Sequence, residues 1–365
     1  MIECAFHMQT TKTAVMMSMM TSYPEVPHRE MRIKILTFDI NLVTFGSKEI
    51  EFEENMDIDY RQYIRFGSSS WAFEGWRGIV YFKDYPAGSF KRDCLAEYAA
   101  DSRFSTVGMD LFFYQPPTVS LLEQYAKQLP AGFKACSKVW EQLTIYRFPN
   151  QPRYGKLKGQ LNPNFLNPEL FINTVLPPYL EVFREHTGPF IFEFQYIKTV
   201  EKTVSDFIRD LDRFFSALPR DFQYGVELRN KNFLTPAYFD VLRRYGVAHV
   251  FNYWSYMPAI SEQLKYDSIT ADFIVARILT PLGMSYEATV QKFEPFDKII
   301  APLPEMRADV MKLVEIALQT RKIAYLLINN RAEGCAPLTI AAIQQMIEQR
   351  FLLTKNSGHI DQLPG

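Results

Sequence analysis

Short apolar runs recur along most of the chain, and stretches with helical spacing separate them. Eight such runs occur, and several end in a charged or amide residue: Tyr63–Gly67, Thr106–Asp110, Phe133–Lys138, Phe190–Glu193, Tyr224–Glu227, Val247–Asn252, Phe273–Arg277 and Ala324–Asn330. A strand–helix unit repeated eight times predicts an α/β fold, a single (β/α)8 barrel of the TIM type. Such barrels place their active sites at the carboxyl ends of the strands, so the polar residues that end these runs are candidate site residues.

The barrel pattern covers residues 61–352 and leaves a segment at each end. Residues 1–60 are rich in methionine and contain no strand–helix unit, so we expect a short N-terminal extension that is partly disordered or forms a hairpin. In such a hairpin, the run Ile33–Val43 would pair with Ile50–Phe52 across Gly46. Residues 353–365 are polar and are expected to form a flexible C-terminal tail.

Three connections that follow predicted strands are long and irregular. They span residues 148–167, 253–270 and 279–304, after the third, sixth and seventh strands. Long loops in compact domains often carry function. Because all three lie on one face of the predicted barrel, they indicate a covered binding site at that face.

Composition and charge restrict the function without identifying it. The chain has 365 residues, of which 47% are hydrophobic and 15% aromatic, enough to fill a large core. Its 40 basic and 41 acidic residues give a net charge of −1, which disfavours a broad nucleic-acid-binding face. No apolar run approaches the ~20 residues of a membrane span. The four cysteines include no CxxC pair, so we expect a cytoplasmic protein with free thiols.

The ends of the predicted strands supply three carboxylates and three cations, namely Asp110, Glu193, Glu227, Lys138, Arg229 and Arg277. Carboxylates on adjacent strands can bind a divalent metal, or one of them can acquire a raised pKa. Three cations against three carboxylates can instead form a charge-balanced network without a metal. No metal ligand is therefore assigned.

Three of these residues, Glu227, Lys138 and Asp110, are the candidate catalytic residues. Glu227 and Arg229 lie two residues apart, so alternation places both side chains on the same side of the strand. Glu227 could act as a general base or could orient Arg229, and the alternative is a structural ion pair. Arg229, Arg277 and Lys138 are the side chains expected to hold a phosphate or carboxylate.

Uncharged residues complete the predicted site. The serines after Gly67 could bind an anion, and the tryptophan after them could form an apolar wall, although a polar turn with a packed tryptophan would have the same sequence. Only one of the two consecutive asparagines that end the eighth strand can face the lumen. The predicted ligand-binding residues are Arg229, Arg277, Glu193, Ser68, Ser70, Trp71, Tyr114, Asn329 and Asn330.

His249 is the one histidine within a predicted strand, and we expect a hydrogen-bonded core residue there. The sequence contains no P-loop, dinucleotide-binding GxGxxG motif, nucleophile elbow or HExxH motif. The sequence therefore predicts no cofactor.

Several short motifs follow one another along the chain: Gly67–Trp71 with Trp76 and Tyr85–Pro86, Asp110 with Phe113–Tyr114, Lys138, Val226–Arg229, Arg277 and Asn329–Asn330. In this order they resemble the motifs of the YecE-like family, known as domain of unknown function 72. The resemblance extends from about Tyr63 to Phe351. It implies a TIM-type barrel but no particular reaction, because the family has no settled biochemical function.

Several positions depart from that family pattern. The family's glutamate in the second strand is Gly108 here, and its glutamine in the fourth strand is Glu193. Its histidine positions are occupied by Ile145, Asn230 and Leu279. Because these changes remove proton-transfer groups, we hypothesise that this member has altered or lost the catalysis of its relatives and only binds a ligand.

The sequence therefore predicts a barrel whose C-terminal face binds a small metabolite that carries phosphate or carboxylate. If the protein is an enzyme, isomerase, lyase or phosphoester hydrolase chemistry fits these groups. Two other classes stay open: a non-catalytic barrel with a binding or regulatory role, and a metal-dependent enzyme acting on nucleic acid, which the neutral charge disfavours. The sequence indicates no membrane partner and no particular oligomeric state.

Overall fold

A computed structural model describes residues 43–45, 48–50 and 59–357, with side chains for residues 59–350. Strands Val43–Phe45 and Lys48–Ile50 pair antiparallel. The rest of the predicted hairpin lies outside the described residues. Of the predicted 1–60 extension, only these two strands and residues 59–60 are described, so its boundary stays a prediction.

Within residues 59–357, eight parallel strands form one sheet that curves into a nearly closed barrel, in the order β1-β8-β7-β6-β5-β4-β3-β2. The strands are β1 Ile64–Ser68, β2 Thr106–Met109, β3 Lys134–Lys138, β4 Thr187–Phe194, β5 Tyr224–Leu228, β6 Ala248–Tyr253, β7 Phe273–Ile278 and β8 Ile323–Ile328. The predicted α/β class and (β/α)8 architecture are confirmed.

Helices follow the strands along the chain, as the repeated unit predicts. Those described are α1 Phe90–Asp93, α2 Leu95–Ala100, α3 Val119–Ala126, α4 Pro168–Leu170, α5 Val204–Ala217, α6 Pro236–Tyr245, α7 Ile260–Gln263, α8 Tyr286–Phe293, α9 Pro304–Thr320 and α10 Ala336–Ser357. Helix α10 corrects the predicted tail boundary, because it continues through residues 353–357. No described helix is long and apolar enough to cross a bilayer.

Threonine and serine side chains determine where several of these helices begin. The side-chain oxygens of Thr118, Thr203, Thr235 and Ser285 each accept a hydrogen bond from a backbone N–H in the first turn of α3, α5, α6 and α8. Such caps satisfy N–H groups that have no partner inside the helix. The loops that precede these helices therefore end at defined positions around the barrel mouth.

The junction between β1 and β2 depends on a tyrosine hydroxyl from α2. Ser105 N donates to Phe66 O at 2.8 Å. Tyr98 Oη accepts from Ser68 N at 2.9 Å and donates to Thr106 O at 3.2 Å, so it connects the two strands. Gly67 allows this close approach, because a Cβ there would lie 2.3 Å from Thr106 O.

Alternation along the strands divides the barrel interior into two zones. Cys136, Ile191 and Val275 belong to a buried apolar cluster inside the barrel. Two residues further along each strand, and therefore on the same side, come Lys138, Glu193 and Arg277. The lumen is thus apolar towards the amino ends of these strands and charged at their carboxyl ends.

His249 faces outward from β6 and is a hydrogen-bonded core residue, as expected. Its Nδ1 lies 3.1 Å from Tyr238 Oη, and its Nε2 lies 3.1 Å from Gln263 Oε1. Burial lowers the pKa of His249 to about 4. The ring is therefore neutral in the folded protein at pH values where an unfolded chain would carry a proton on it.

We expect this difference to destabilise the protein in mild acid. The contribution of His249 to the free energy of unfolding is complete above the unfolded-state pKa of about 6.5. This contribution is lost as pH falls towards about 4, because only the unfolded chain takes up the proton in that range. Urea midpoints of wild type and His249→Gln should diverge at pH 7 and converge towards pH 4.5. Equal pH dependence in the two proteins would contradict this account.

The β1–β2 junction gives a second prediction. Tyr98→Phe leaves the buried Ser68 N and Thr106 O without the hydroxyl, so it should lower the free energy of unfolding by about 1–3 kcal/mol. Tyr125→Phe is a matched control, because Tyr125 is also buried and its hydroxyl makes no hydrogen bond among the described residues. Denaturant unfolding of both variants tests this, and similar losses in the two would exclude a special role for Tyr98.

Candidate functional site

One arginine lies at the centre of the charged end of the lumen. Arg277 Nη1 lies 2.7 Å from Glu227 Oε2 and 3.1 Å from Glu193 Oε2, and its Nη2 pairs with Asp110. The Arg277 side chain is only 2% exposed. It therefore joins carboxylates from β4 and β5 and from the residue after β2.

Two further cations complete this cluster. Arg229 Nη2 lies 2.8 Å from Glu193 Oε2 and 2.6 Å from Glu227 Oε1, the second contact being an ion pair without hydrogen-bond geometry. Lys138 Nζ lies 2.9 Å from Glu193 Oε2. We call these six residues (Asp110, Glu193, Glu227, Lys138, Arg229 and Arg277) the charge network, and their formal charges cancel.

The charge network is the arrangement that the sequence allowed as the alternative to a metal site. Each of its carboxylates pairs with at least one cation. In the part of the chain that the structure describes, no group of three or more His, Cys, Asp or Glu side chains is placed to hold a metal ion.

The electrostatics of this cluster disfavour proton transfer. Burial by itself would raise the pKa of Glu193, but Lys138, Arg229 and Arg277 together hold it well below its usual range. Glu227 is fully buried and lies between the two arginines. A general base must reach its substrate. The two ion pairs of Glu227 fit its predicted role in orienting Arg229, and its alternative role as a base stays a prediction.

A cavity of about 760 Å³ lies above the charge network, within the size range of small-molecule sites. Eight of the predicted site residues line it: Ser70, Asp110, Tyr114, Lys138, Glu193, Arg229, Arg277 and Asn329. Ser69, one of the three serines after Gly67 that the sequence suggested as anion contacts, also lines it. Sequence reasoning missed further lining residues, of which the polar and aromatic ones are Phe73, Gln151, Gln195, Tyr196, Trp254, Thr280, Tyr286 and Arg331. Each of the three long loops contributes to this wall, through Gln151, Trp254 and Thr280.

Four predicted site residues, Glu227 among them, do not line this cavity. Ser68 faces away from the lumen, and its Oγ donates to Ser70 O at 2.8 Å. Trp71 is buried and packs edge-on against Tyr125. Asn330 Oδ1 accepts from Trp76 Nε1 at 3.2 Å and from Ala336 N at 2.9 Å. Strand alternation points the side chains of Ser68 and Asn330 away from the lumen, so they pack behind the strand ends that form the barrel mouth.

Arginines stack on two of the tyrosines in the cavity wall. Arg331 lies 4.3 Å from the ring centroid of Tyr286, and Arg153 lies 4.8 Å from that of Tyr114. The sequence contained a signal for Arg331, because it comes two residues after Asn329 at the end of β8. Gln151 and Trp254 lie on loops with no periodic pattern, so nothing in the sequence indicated them.

The family glutamate position, Gly108, has a packing consequence. A Cβ at Gly108 would lie 3.0 Å from both Ser68 O and Ser69 Cα, which are backbone atoms. A larger side chain would therefore require the end of β1 to shift. The glycine lets Ser69 approach the lumen, while Leu279, at a family histidine position, lies in the cavity wall.

Residues 65–360 match the family described as Protein of unknown function DUF72. The chain belongs to this family. A DUF72 family protein from Enterococcus faecalis V583 has a similar structure, with a TM-score of 0.55, 18% identity, and coverage of 78% of this chain and 95% of that one. A DUF72 family protein from Thermotoga maritima MSB8 is similar with a TM-score of 0.55, 16% identity, and coverage of 78% and 99%.

At these identities, the likeness to the two solved DUF72 structures shows the fold alone. None of the curated protein sequences matches this chain. The family therefore establishes the barrel, and the function has to be inferred from the side chains of the site.

Removing the central arginine of the charge network should be strongly destabilising. Arg277→Met leaves three carboxylates around a buried apolar side chain, and breaking a buried ion pair in this way typically costs about 3–5 kcal/mol. Arg209→Met is the matched control, because Arg209 is 71% exposed where it pairs with Asp206, and such a pair is worth at most ~1 kcal/mol. Denaturant unfolding measures the stability of both variants. Equally small losses of stability in the two would show that the charge network does not stabilise the fold.

Proposed function

We propose that this DUF72 protein binds a small anionic metabolite, carrying phosphate or carboxylate, in the cavity above the charge network. The observation that carries the proposal is the state of Arg331. Arg331 lines the cavity, and its buried Nε makes no hydrogen bond in the described part of the chain. No carboxylate pairs with it among those residues. Burial lowers the pKa of the Arg331 guanidinium, and the nearby Asp110 carboxylate acts in the opposite direction without forming an ion pair.

A largely buried cation that forms no ion pair is costly, and a bound anion would offset that cost. The charge network is formally neutral as a whole, and Arg331 adds one positive charge to the wall. Arg331 also follows β8, in the region where barrels of this type often bind phosphate. Ser70 and Asn329 in the same wall are neutral groups suited to further hydrogen bonds.

This proposal changes the roles that the sequence suggested for the other cations. Arg229, Arg277 and Lys138 are engaged with carboxylates, so they form the floor of the cavity. Arg331, which the sequence interpretation omitted, becomes the main contact to the anion. A guanidinium suits this role because its planar donors match the oxygens of phosphate and carboxylate.

The ion pairs of the charge network favour a binding or regulatory role over isomerase, lyase or phosphoester hydrolase chemistry. Each of those reactions needs a group that can exchange a proton or activate water. The three carboxylates are instead held by Lys138, Arg229 and Arg277. Paired carboxylates likewise give no support to a metal-dependent enzyme acting on nucleic acid.

Thermal unfolding with and without ligands tests the proposal. Inorganic phosphate, sugar phosphates and small carboxylic acids should be compared on wild type and Arg331→Ala. A ligand at 100 times its Kd adds about 2.7 kcal/mol of stability. The variant should bind roughly ten- to a hundredfold more weakly, because one charge-assisted contact is lost.

Two controls make this result specific. Arg213→Ala removes the same charge from an exposed position on α5, and it should leave the ligand response unchanged. Arg331→Lys retains the charge but not the planar fork, so its affinity should be intermediate. An anion response that survives in Arg331→Ala, or the lack of any anion response in wild type, would exclude the proposed site.

A further inference from the structure

A second cavity adjoins the first across the barrel mouth. It has a volume of about 500 Å³ and includes Lys231, Asn232, Ser255 and Tyr256 in its lining. Tyr196 and Arg229 line both cavities. The two cavities therefore share a wall, and a ligand that extends past Tyr196 would enter the second one.

The rim of these cavities carries several exposed tyrosines. Tyr114 is 62% exposed, Tyr196 67%, Tyr256 63% and Tyr286 57%, and they lie after β2, β4, β6 and β7 respectively. Single exposed apolar side chains are common, but a cluster around one opening indicates an interaction site. These rings offer broad apolar faces within a wall that is otherwise polar.

Asn230 holds the backbone next to Tyr196, the rim tyrosine that lines both cavities. Its Oδ1 accepts from Ile197 N at 2.8 Å, and its Nδ2 donates to Ile197 O at 2.8 Å. These two bonds hold the backbone beside Tyr196 against the end of β5. A contact surface that is held in place before binding loses less entropy when a ligand arrives.

Aromatic faces, amides and cations around one opening match the chemistry of a phosphorylated sugar. A sugar ring presents C–H groups that pack on an aromatic face, and its hydroxyls bind amide and hydroxyl side chains. Gln195 and Asn232 lie in these walls and can supply such bonds. Arg331 would hold the acidic group.

The arrangement of the rings favours a puckered sugar ring over a planar base. Trp254 and Tyr256 meet edge-on, with ring centroids 5.1 Å apart and planes at 79°, so they form a corner. Tyr114 and Tyr286 each have an arginine on one face already. Among the described residues, no two of the four rim tyrosines are stacked in parallel to enclose a flat ring.

We propose that the two cavities form one cleft for a phosphorylated saccharide of at least two rings, with the phosphate at Arg331 and the second ring against Tyr196 and Tyr256. This inference rests on the proposed function, because Arg331 anchors the ligand in both. The inference adds two points to the proposed function: the ligand class and the use of the second cavity. It specifically predicts that Tyr256 contributes to the binding of two-ring ligands and not to that of one-ring ligands.

Calorimetric titration of the full chain tests this inference. The probes are glucose 6-phosphate and three phosphorylated disaccharides of different linkage: trehalose 6-phosphate, sucrose 6-phosphate and maltose 1-phosphate. At least one disaccharide should bind more tightly than glucose 6-phosphate. Tyr256→Ala should weaken that disaccharide roughly three- to tenfold and leave glucose 6-phosphate unchanged, whereas Tyr256→Phe should retain the affinity. Tyr266→Ala, an exposed tyrosine outside both cavities, is the matched control.

The outcomes separate this inference from the proposed function. If the sugar phosphates bind with equal affinity, depend on Arg331 and ignore Tyr256, the two-ring cleft is excluded while the anion site stands. If adenosine 5′-monophosphate binds more tightly than every disaccharide and depends on Tyr256, the saccharide class is overturned. If no probe, inorganic phosphate included, depends on Arg331, both proposals fail together.

Discussion

The contact between Arg277 and three carboxylates is the interaction on which the rest of the site depends. It joins β7 to residues of β4 and β5 and to Asp110 after β2, at the charged end of a lumen that is apolar towards the amino ends of the strands. Buried charges are tolerated only when partners surround them, so the strands must bring these side chains to one level. The shape and position of the cavity above them follow from that requirement.

The same interaction restricts what the site can do. The three cations around Glu193 hold it ionised, and Glu227 is buried between two guanidiniums. In the proposed function, the floor of the cavity therefore supplies shape and charge, and the side chains above it determine which ligand binds. Among those side chains, Arg331 forms no ion pair with any described residue, and the long loops contribute aromatic and amide groups. This arrangement underlies the proposal of a protein that binds a ligand without transforming it.

Prediction succeeded where strand periodicity decides the outcome. Eight apolar runs predicted the barrel, and the charged residues at the strand ends lie together at one end of its lumen. Orientation depends instead on packing between distant segments. Ser68 ends a strand and Trp71 follows it, as site residues would, but Ser68 N donates to Tyr98 and Trp71 packs on Tyr125, both from the surrounding helices.

The sequence by itself determined the fold, the face that carries the site and the balance of its strand-end charges, because spacing and alternation are local properties of the chain. The tertiary structure decided which acid pairs with which base, and therefore that Glu227 lies between two arginines while Arg331 forms no ion pair with any described residue. It also decided which loop residues reach the cavity. Those outcomes depend on distances across the barrel, between residues far apart in the chain, and no local pattern encodes them.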